Sequence, residues 1–378
     1  MDISDEVFEQ LSSATSGGLV CPQLRHLTWT SSYGWEPMQQ FLSPHLESVV
    51  FLGDDWSEPD PALIPTISLI PTTHLEELAL KIPIPPTPVH SVLSEVIQRL
   101  GHRFKSLETR STLSEAAWEY LASLPKLEWL KVSDVPCTEI LKLEPRRNLF
   151  PALQCIEMQA GSVHKRWPFL FSLLESSPLQ DVTFTAGRIR DIDIPGQVIT
   201  PVLEAELQRS VNSLVFYGSD SADLKFLSHI GRFNSLKTLK CITRCQREQC
   251  VSPLTDSGVE QLASGLPRLT IVCLGHECKH VRHNNTIKSL ISFSTHCLSL
   301  QILSFSCDLT NISKDIKTES GEPDPRLEIL SPCGLLFLGL RWVIMPDDIE
   351  ALRIVSSALD HLFPRFIQDR TDWGLIGR

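Results

Sequence analysis

No stretch of the 378-residue chain approaches the ~18 consecutive uncharged apolar residues that a membrane-crossing helix needs. The N-terminus, Met1-Asp2-Ile3-Ser4-Asp5-Glu6, is acidic and has no apolar stretch behind it, so it does not read as a secretory signal. There is no phosphate loop, no glycine-rich dinucleotide turn and no Gly-x-Ser-x-Gly elbow, which removes the main nucleotide-binding and hydrolase signatures. Positive charge is in short supply: 34 Lys and Arg face 45 Asp and Glu, for a net charge of −11. That balance argues against nucleic acid as a partner, because nothing would replace the released counterions. The 11 cysteines are odd in number and irregularly spaced, which is a poor disulfide framework. The expectation is a non-enzymatic, cytoplasmic or nuclear protein with reduced thiols and no membrane partner. In that compartment the sequons at Asn284 and Asn311 have no use.

What the chain has in excess is leucine, 55 residues. A six-residue pattern, apolar-x-x-apolar-x-apolar, recurs throughout. It runs Leu24/Leu27/Trp29, Leu46/Val49/Phe51, Leu75/Leu78/Leu80 and Leu127/Leu130/Val132, then Leu153/Ile156/Met158, Leu179/Val182/Phe184, Val211/Leu214/Phe216 and Leu236/Leu239/Cys241. Leu269/Val272/Leu274, Leu300/Leu303/Phe305 and Leu335/Leu338/Leu340 close the series, and a degenerate copy lies near Phe104–Thr109, counted from Leu107. The copies are spaced between 20 and 35 residues. The last two apolar positions of each copy alternate with polar ones, the period-2 mark of a short strand with one buried face. The first, three residues earlier, tucks in where the chain turns into the strand. One such strand cannot bury its face alone, so neighbours must stack.

Between the strands the apolar residues follow helical spacing: Val89/Val92/Val96/Leu100, Leu113/Ala117/Leu121/Leu124, Val259/Leu262/Leu266, Ile287/Leu290/Ile291/Leu298 and Ile349/Leu352/Val355/Leu359/Leu362. Pro88, Pro168, Pro201 and Pro346 stand at first-turn positions, and Thr255-Asp256 reads as a helix cap with an acidic first turn. Strand, loop, helix, loop at this period is the register of a leucine-rich repeat. The expected fold is α/β, a leucine-rich-repeat solenoid (a right-handed horseshoe) of about 11–12 irregular repeats, with a parallel sheet on the concave side and helices on the convex side. The conserved-type Asn or Cys after each strand is replaced by mixed residues, so no Asn ladder is expected. Segments 81–88, 185–198 and 308–327 read as excursions. The expected layout is a loosely ordered segment 1–20, a solenoid over 21–345, a capping helix over 346–364 and a tail over 365–378, in a monomer.

Several pieces resemble the repeat region of the fungal (basidiomycete) F-box/leucine-rich-repeat proteins. They are Cys21-Pro-Gln-Leu-Arg-His-Leu27, Leu124-Pro-Lys-Leu-Glu-Trp-Leu130, Phe150-Pro-Ala-Leu-Gln-Cys-Ile156, Leu266-Pro-Arg-Leu269 and His296-Cys-Leu-Ser-Leu300. The resemblance covers roughly residues 20–365. It implies protein–protein recognition, as in substrate receptors of ubiquitin ligases, with cullin-type ligase components as partners through an F-box. The 23 residues ahead of Leu24 lack the Leu-Pro-x-Glu opening of an F-box.

Two sets of residues are candidates for function. The first is the solvent-facing side of the strands, where His26, Thr28, Glu77, Trp129, Lys131, Glu157, Asp181, Thr183 and Lys240 are expected to point outward as a partner-binding face, with Ala79, Cys155 and Thr238. Trp129 is the anchor candidate, because exposed aromatics carry much interface energy; packing against neighbouring strand side chains is its alternative role. The second set is Cys- and His-rich. His276-Glu277-Cys278-Lys279-His280 is formally H-E-x-x-H, but it follows a strand and lies in a strand-to-helix loop rather than on a helix, and no Glu occurs from 278 to 318 to complete a catalytic zinc site. The alternative reading is therefore a structural zinc, with Cys245, Cys250, His276, Cys278, His280 and His283 as ligands drawn from adjacent loops.

Overall fold

The computed structural model describes residues 10, 13–14, 18–30, 34–53, 61–82, 87–132, 149–160, 174, 176–186, 210–219, 230, 233–244, 250–276, 281–311, 337–344 and 349–362. The chain divides into two compact units, Met1–Thr185 and Ala186–Arg378. Much of the expected excursions, including 83–86, 187–198 and 312–327, lies outside the described residues, as do Pro168, Pro201 and Pro346.

In the first unit the strands are β1 (His26–Thr30), β2 (Ser48–Leu52), β3 (Glu77–Lys81), β4 (Ser106–Thr109), β5 (Trp129–Val132), β6 (Cys155–Ala160) and β7 (Asp181–Ala186). They lie side by side in chain order, and the described pairings are parallel and unshifted. Leu27, Val49, Leu78, Leu107, Leu130 and Ile156 form one continuous row across the sheet, each at most 7% exposed. The register corrects one detail of the repeat count. Leu107 stands opposite Leu78 and Leu130, so the degenerate copy begins at Phe104, and Thr109, 1% exposed, takes the last core position.

Several repeats are entered through a tight turn. The amides of Leu24, Leu46, Leu153 and Leu269 donate to the carbonyls of Cys21, Ser43, Phe150 and Leu266. In each case proline is the second turn residue (Pro22, Pro44, Pro151, Pro267), where its fixed φ is already correct. This explains the repeated x-Pro-x-Leu signature. The next step joins the repeats. The carbonyl of Arg25 accepts from the amides of Glu47 (2.7 Å) and Ser48 (3.0 Å), that of Glu47 from Glu76 and Glu77, and that of Glu76 from Lys105 and Ser106. The same doubly accepting carbonyl recurs at Lys105, Glu128, Gln154, Asn212, Lys237 and Thr270. Backbone carbonyls at the strand entrances are thus satisfied by the following repeat.

Behind the strands stand α1 (Leu63–Ser68), α2 (Thr87–Ile97) and α3 (Glu115–Ser123), with a 3-10 turn at Pro37–Phe41. The short α1 and the 3-10 turn have no counterpart in the helical stripes of the sequence. Pro88 does sit in the first turn of α2. The hydroxyl of Ser114 caps α3 by accepting from the amide of Ala117, while the Ser114 amide donates to the Ser94 hydroxyl on α2. Val89, Leu93, Val96 and Ile97 are fully buried, as are Ala117 and Leu121.

The second unit repeats the plan with β8 (Ser213–Ser219), β9 (Thr238–Arg244), β10 (Cys250–Thr255), β11 (Ile271–His276), β12 (Val281–Asn284), β13 (Ile302–Asp308) and β14 (Phe337–Ile344), together with α4 (Asp256–Gly265), α5 (Ile287–His296) and α6 (Ile349–Leu362). The sheet order is β8-β9-β11-β13-β14, again parallel; Leu214, Leu239, Val272 and Leu303 form its core row, with Leu338 in register with Leu303. The remaining strands, β10 and β12, form a separate two-stranded parallel sheet. The expected cap is present: the Thr255 hydroxyl accepts from the amide of Gly258. Among the described residues no helix is long and apolar enough to cross a membrane.

Candidate functional site: the outward strand face

Alternation puts every second strand residue opposite the core, and parallel pairing aligns those residues into rows. In the first unit one row runs His26, Ser48, Glu77, Ser106, Trp129, Cys155, and the next runs Thr28, Val50, Ala79, Glu108, Lys131, Glu157. Asp181 and Thr183 hold the corresponding positions of β7. His26, Thr28, Glu77 and Asp181 are exposed, and Trp129, Lys131, Glu157 and Thr183 are half-buried. Ala79 departs from expectation: it is 3% exposed, its methyl lying in register between the larger Val50 and Glu108.

The sequence reading missed Glu108, the centre of this face. Its carboxylate meets Lys81 Nζ at 3.1 Å and Lys131 Nζ at 3.1 Å, and Lys131 reaches on to Glu157 at 3.2 Å. Burial pulls the Lys131 pKa down, but hydrogen bonding and charge from Glu108 and Glu157 outweigh it and hold the amine above the ordinary lysine range. A second ladder runs along the strand entrances, where Arg25 pairs with Glu47 (3.2 Å) and Lys105 with Glu76 (2.7 Å). The Lys105 ammonium keeps the Glu76 carboxyl below the usual carboxylate range. No periodicity argument finds Glu108, because its copy of the repeat is the degenerate one.

Trp129 is half-buried in register between Ser106 and Cys155, and its indole acts to lower the pKa of the Cys155 thiol. Burial and the charge of Asp181 nevertheless push that thiol up to about 11, so it stays protonated and inert at neutral pH. Trp129 keeps part of its surface toward solvent. Glu77, Glu128 and Asp181 have no basic partner within ion-pair distance among the described residues, which leaves the face with an acidic surplus.

In the second unit Lys240 and Thr238 sit half-buried on the outward side of β9. The second candidate set divides differently. Cys245, Cys278 and His280 lie outside the described residues. Cys250, His276 and His283 fall in β10, β11 and β12, with only their backbone described. The sequence placed this region in a loop; instead β12 pairs with β10, bringing Cys250 opposite Val281. Among the described residues no group of three or more His, Cys, Asp or Glu side chains could hold a metal.

The fold is that of a leucine-rich repeat. No family model and no curated protein matches the chain. Solved structures that it resembles include yeast Rad7 in its complex with Elc1, at 15% identity and a TM-score of 0.45 over 96% of this chain and 81% of that one. The leucine-rich repeat-containing protein LegL7 from Legionella pneumophila gives 14% identity and 0.36 over 90% and 98%. The mouse RP105/MD-1 complex gives 15% and 0.40 over 94% and 51%. The assignment of the leucine-rich-repeat fold rests on the period, the parallel register and the entrance turns.

Proposed function

We propose that the chain is a non-enzymatic protein-recognition module that captures its partner on the outward strand face of the first unit, and that it serves as a substrate receptor of the kind found in F-box/leucine-rich-repeat proteins of ubiquitin ligases. One observation supports the reading: a half-buried Trp129 stands on the outward face in the row next to the Lys81–Glu108–Lys131–Glu157 chain of ion pairs. An aromatic there supplies interface energy, and the ion pairs beside it add specificity rather than bulk affinity. The surplus acids Glu77, Glu128 and Asp181 suit a basic segment of the partner. The link to a cullin-type ligase draws on the sequence resemblance alone.

The test is affinity purification from the native cells with wild type and Trp129→Ala side by side, followed by mass spectrometry. The expected result is a set of partners that includes ligase subunits and is depleted in the variant, with both proteins showing the same circular dichroism. Equal capture by the two proteins would remove Trp129 as an anchor, and partners without any ligase subunit would remove the receptor role while leaving recognition in place.

A further inference from the structure

The outward rows of the second unit have a different chemistry. In register, Ile271 stands beside Ile302, and Tyr217 beside Ile242. The three isoleucines are half-buried, and Tyr217 is 40% exposed. Around the strand entrances and starts the outward positions are uncharged polar or apolar: Asn212, Ser213 and Val215 lead β8, Thr270 and Cys273 belong to β11, and Gln301 and Ser304 belong to β13; the one acid on these strands, Asp308, closes β13 at its far end and accepts from Thr310. Arg244 closes β9, and the charges nearer its start are Lys237, exposed at the entrance, and Lys240, half-buried on its face. Neither has an acidic partner within ion-pair distance among the described residues.

We infer that the outward face of the second unit is a docking site for an acidic protein segment with aliphatic or aromatic side chains, whose carboxylates pair with Lys237 and Lys240 and whose apolar groups cover Ile271, Ile302 and Tyr217. Charge complementarity selects this occupant. In a chain of net charge −11, two neighbouring lysines without acids nearby, set among isoleucines, leave a positive and apolar patch. A basic segment would be repelled there, although the first unit's face attracts one. Phosphate backbones would leave the isoleucine row uncovered. The inference rests on the reading of the strand face as a recognition surface and adds a second, oppositely charged site to it.

The experiment is selection of a random 12-residue peptide display library on the full chain, with the enriched sequences then synthesised and measured by fluorescence anisotropy. The expected peptides combine Asp or Glu with Leu, Ile or Phe. Their affinity should fall about tenfold or more for the double variant Lys237→Glu/Lys240→Glu, fall with added salt, and stay unchanged for Trp129→Ala. Circular dichroism establishes that each variant is folded. Enriched peptides that are basic, or that lose binding only with Trp129→Ala, would overturn this site and leave the first unit's face standing. No enrichment on any part of the chain would overturn both. A concentration-dependent dimer in sedimentation, abolished by the double variant and without peptide enrichment, would give the patch to a second copy and overturn the peptide as occupant.

Discussion

Leu239 is fully buried in the core row of the second unit, between Leu214 and Val272 in register. Truncating it removes the transfer energy of its side chain and leaves a cavity that neighbouring strands cannot close without breaking register. Leu239→Ala is expected to cost about 2–5 kcal/mol, read as a lowered thermal midpoint; an unchanged transition would contradict the repeat register itself. The cysteines make a second residue-scale prediction. Burial pushes the Cys241 thiol up to about 12 and Cys307 higher still, whereas Cys21 is exposed. Because the thiolate is the reactive form, maleimide labelling of the native protein at pH 7.5, mapped by peptide mass spectrometry, should modify Cys21 quickly. Cys241 and Cys307 should react only after denaturant is added. Rapid native labelling of Cys241 would place its side chain on the wrong side of β9.

At the scale of elements, helices are joined across repeats by a few polar side chains rather than by apolar packing alone. Asp256 opens α4, but its carboxylate serves the next repeat: it accepts from the Thr286 amide at 2.8 Å, the Thr286 hydroxyl at 2.9 Å and the Ser289 hydroxyl at 2.6 Å. Glu260, one turn on, meets Ser292 and His296 of α5. The Thr286 hydroxyl caps α5 by accepting from the Lys288 amide, and Asp256→Ala leaves the Thr286 amide unpaired; the change should cost about 1–3 kcal/mol in denaturant unfolding, with faster amide exchange in the first turn of α5. Unchanged exchange there would show that the Thr286 cap suffices alone. The Lys81–Glu108–Lys131–Glu157 chain makes a pH-dependent prediction. Because the folded pKa of Lys131 lies above its unfolded value, its stabilising effect is complete below the ordinary lysine pKa and fades as pH rises through the folded one. The difference in melting temperature between wild type and Lys131→Met should therefore hold at neutral pH and shrink above about pH 10.5. A difference that shrinks toward acid instead would point to the carboxylates as the controlling groups.

The same elements mark what the sequence could and could not reveal. The strands of the core rows were legible because Leu27, Val49, Leu78 and their counterparts must alternate and recur, and α2 to α6 because their apolar stripes keep helical spacing. The helix α1, Leu63-Ile64-Pro65-Thr66-Ile67-Ser68, was not, since six residues with a proline inside span too few turns for a stripe. The pair β10 and β12 was hidden for another reason. Val281-Arg282-His283-Asn284 contains a single apolar residue, so its sequence shows no alternating period, and only its pairing with β10 makes it a strand. Glu108 escaped notice because charge pairing between repeats depends on register, which a linear pattern leaves open by a residue. The candidate face was thus readable as a set of outward positions, but not as a chain of ion pairs in the row beside Trp129.

For the whole molecule, stability follows from stacking: among the described residues, nine strand entrances each donate two amides to a carbonyl of the repeat before, tying those repeats to their neighbours. Such an array behaves as a sum of repeat energies and nearest-neighbour interfaces, and a defect in one repeat weakens those that touch it before it weakens the rest. Hydrogen exchange on Leu239→Ala provides the check. The amides of β8, β9 and β11 should exchange faster, because Lys237 links β9 backward to Asn212 and its carbonyl carries Thr270 and Ile271 forward. The amides of β2, β3 and β4, several repeats away in the first unit, should keep wild-type protection under the same conditions. Uniform acceleration across all strands would mean that the chain unfolds as one cooperative body, and that the interfaces between repeats are strong enough to override the local terms.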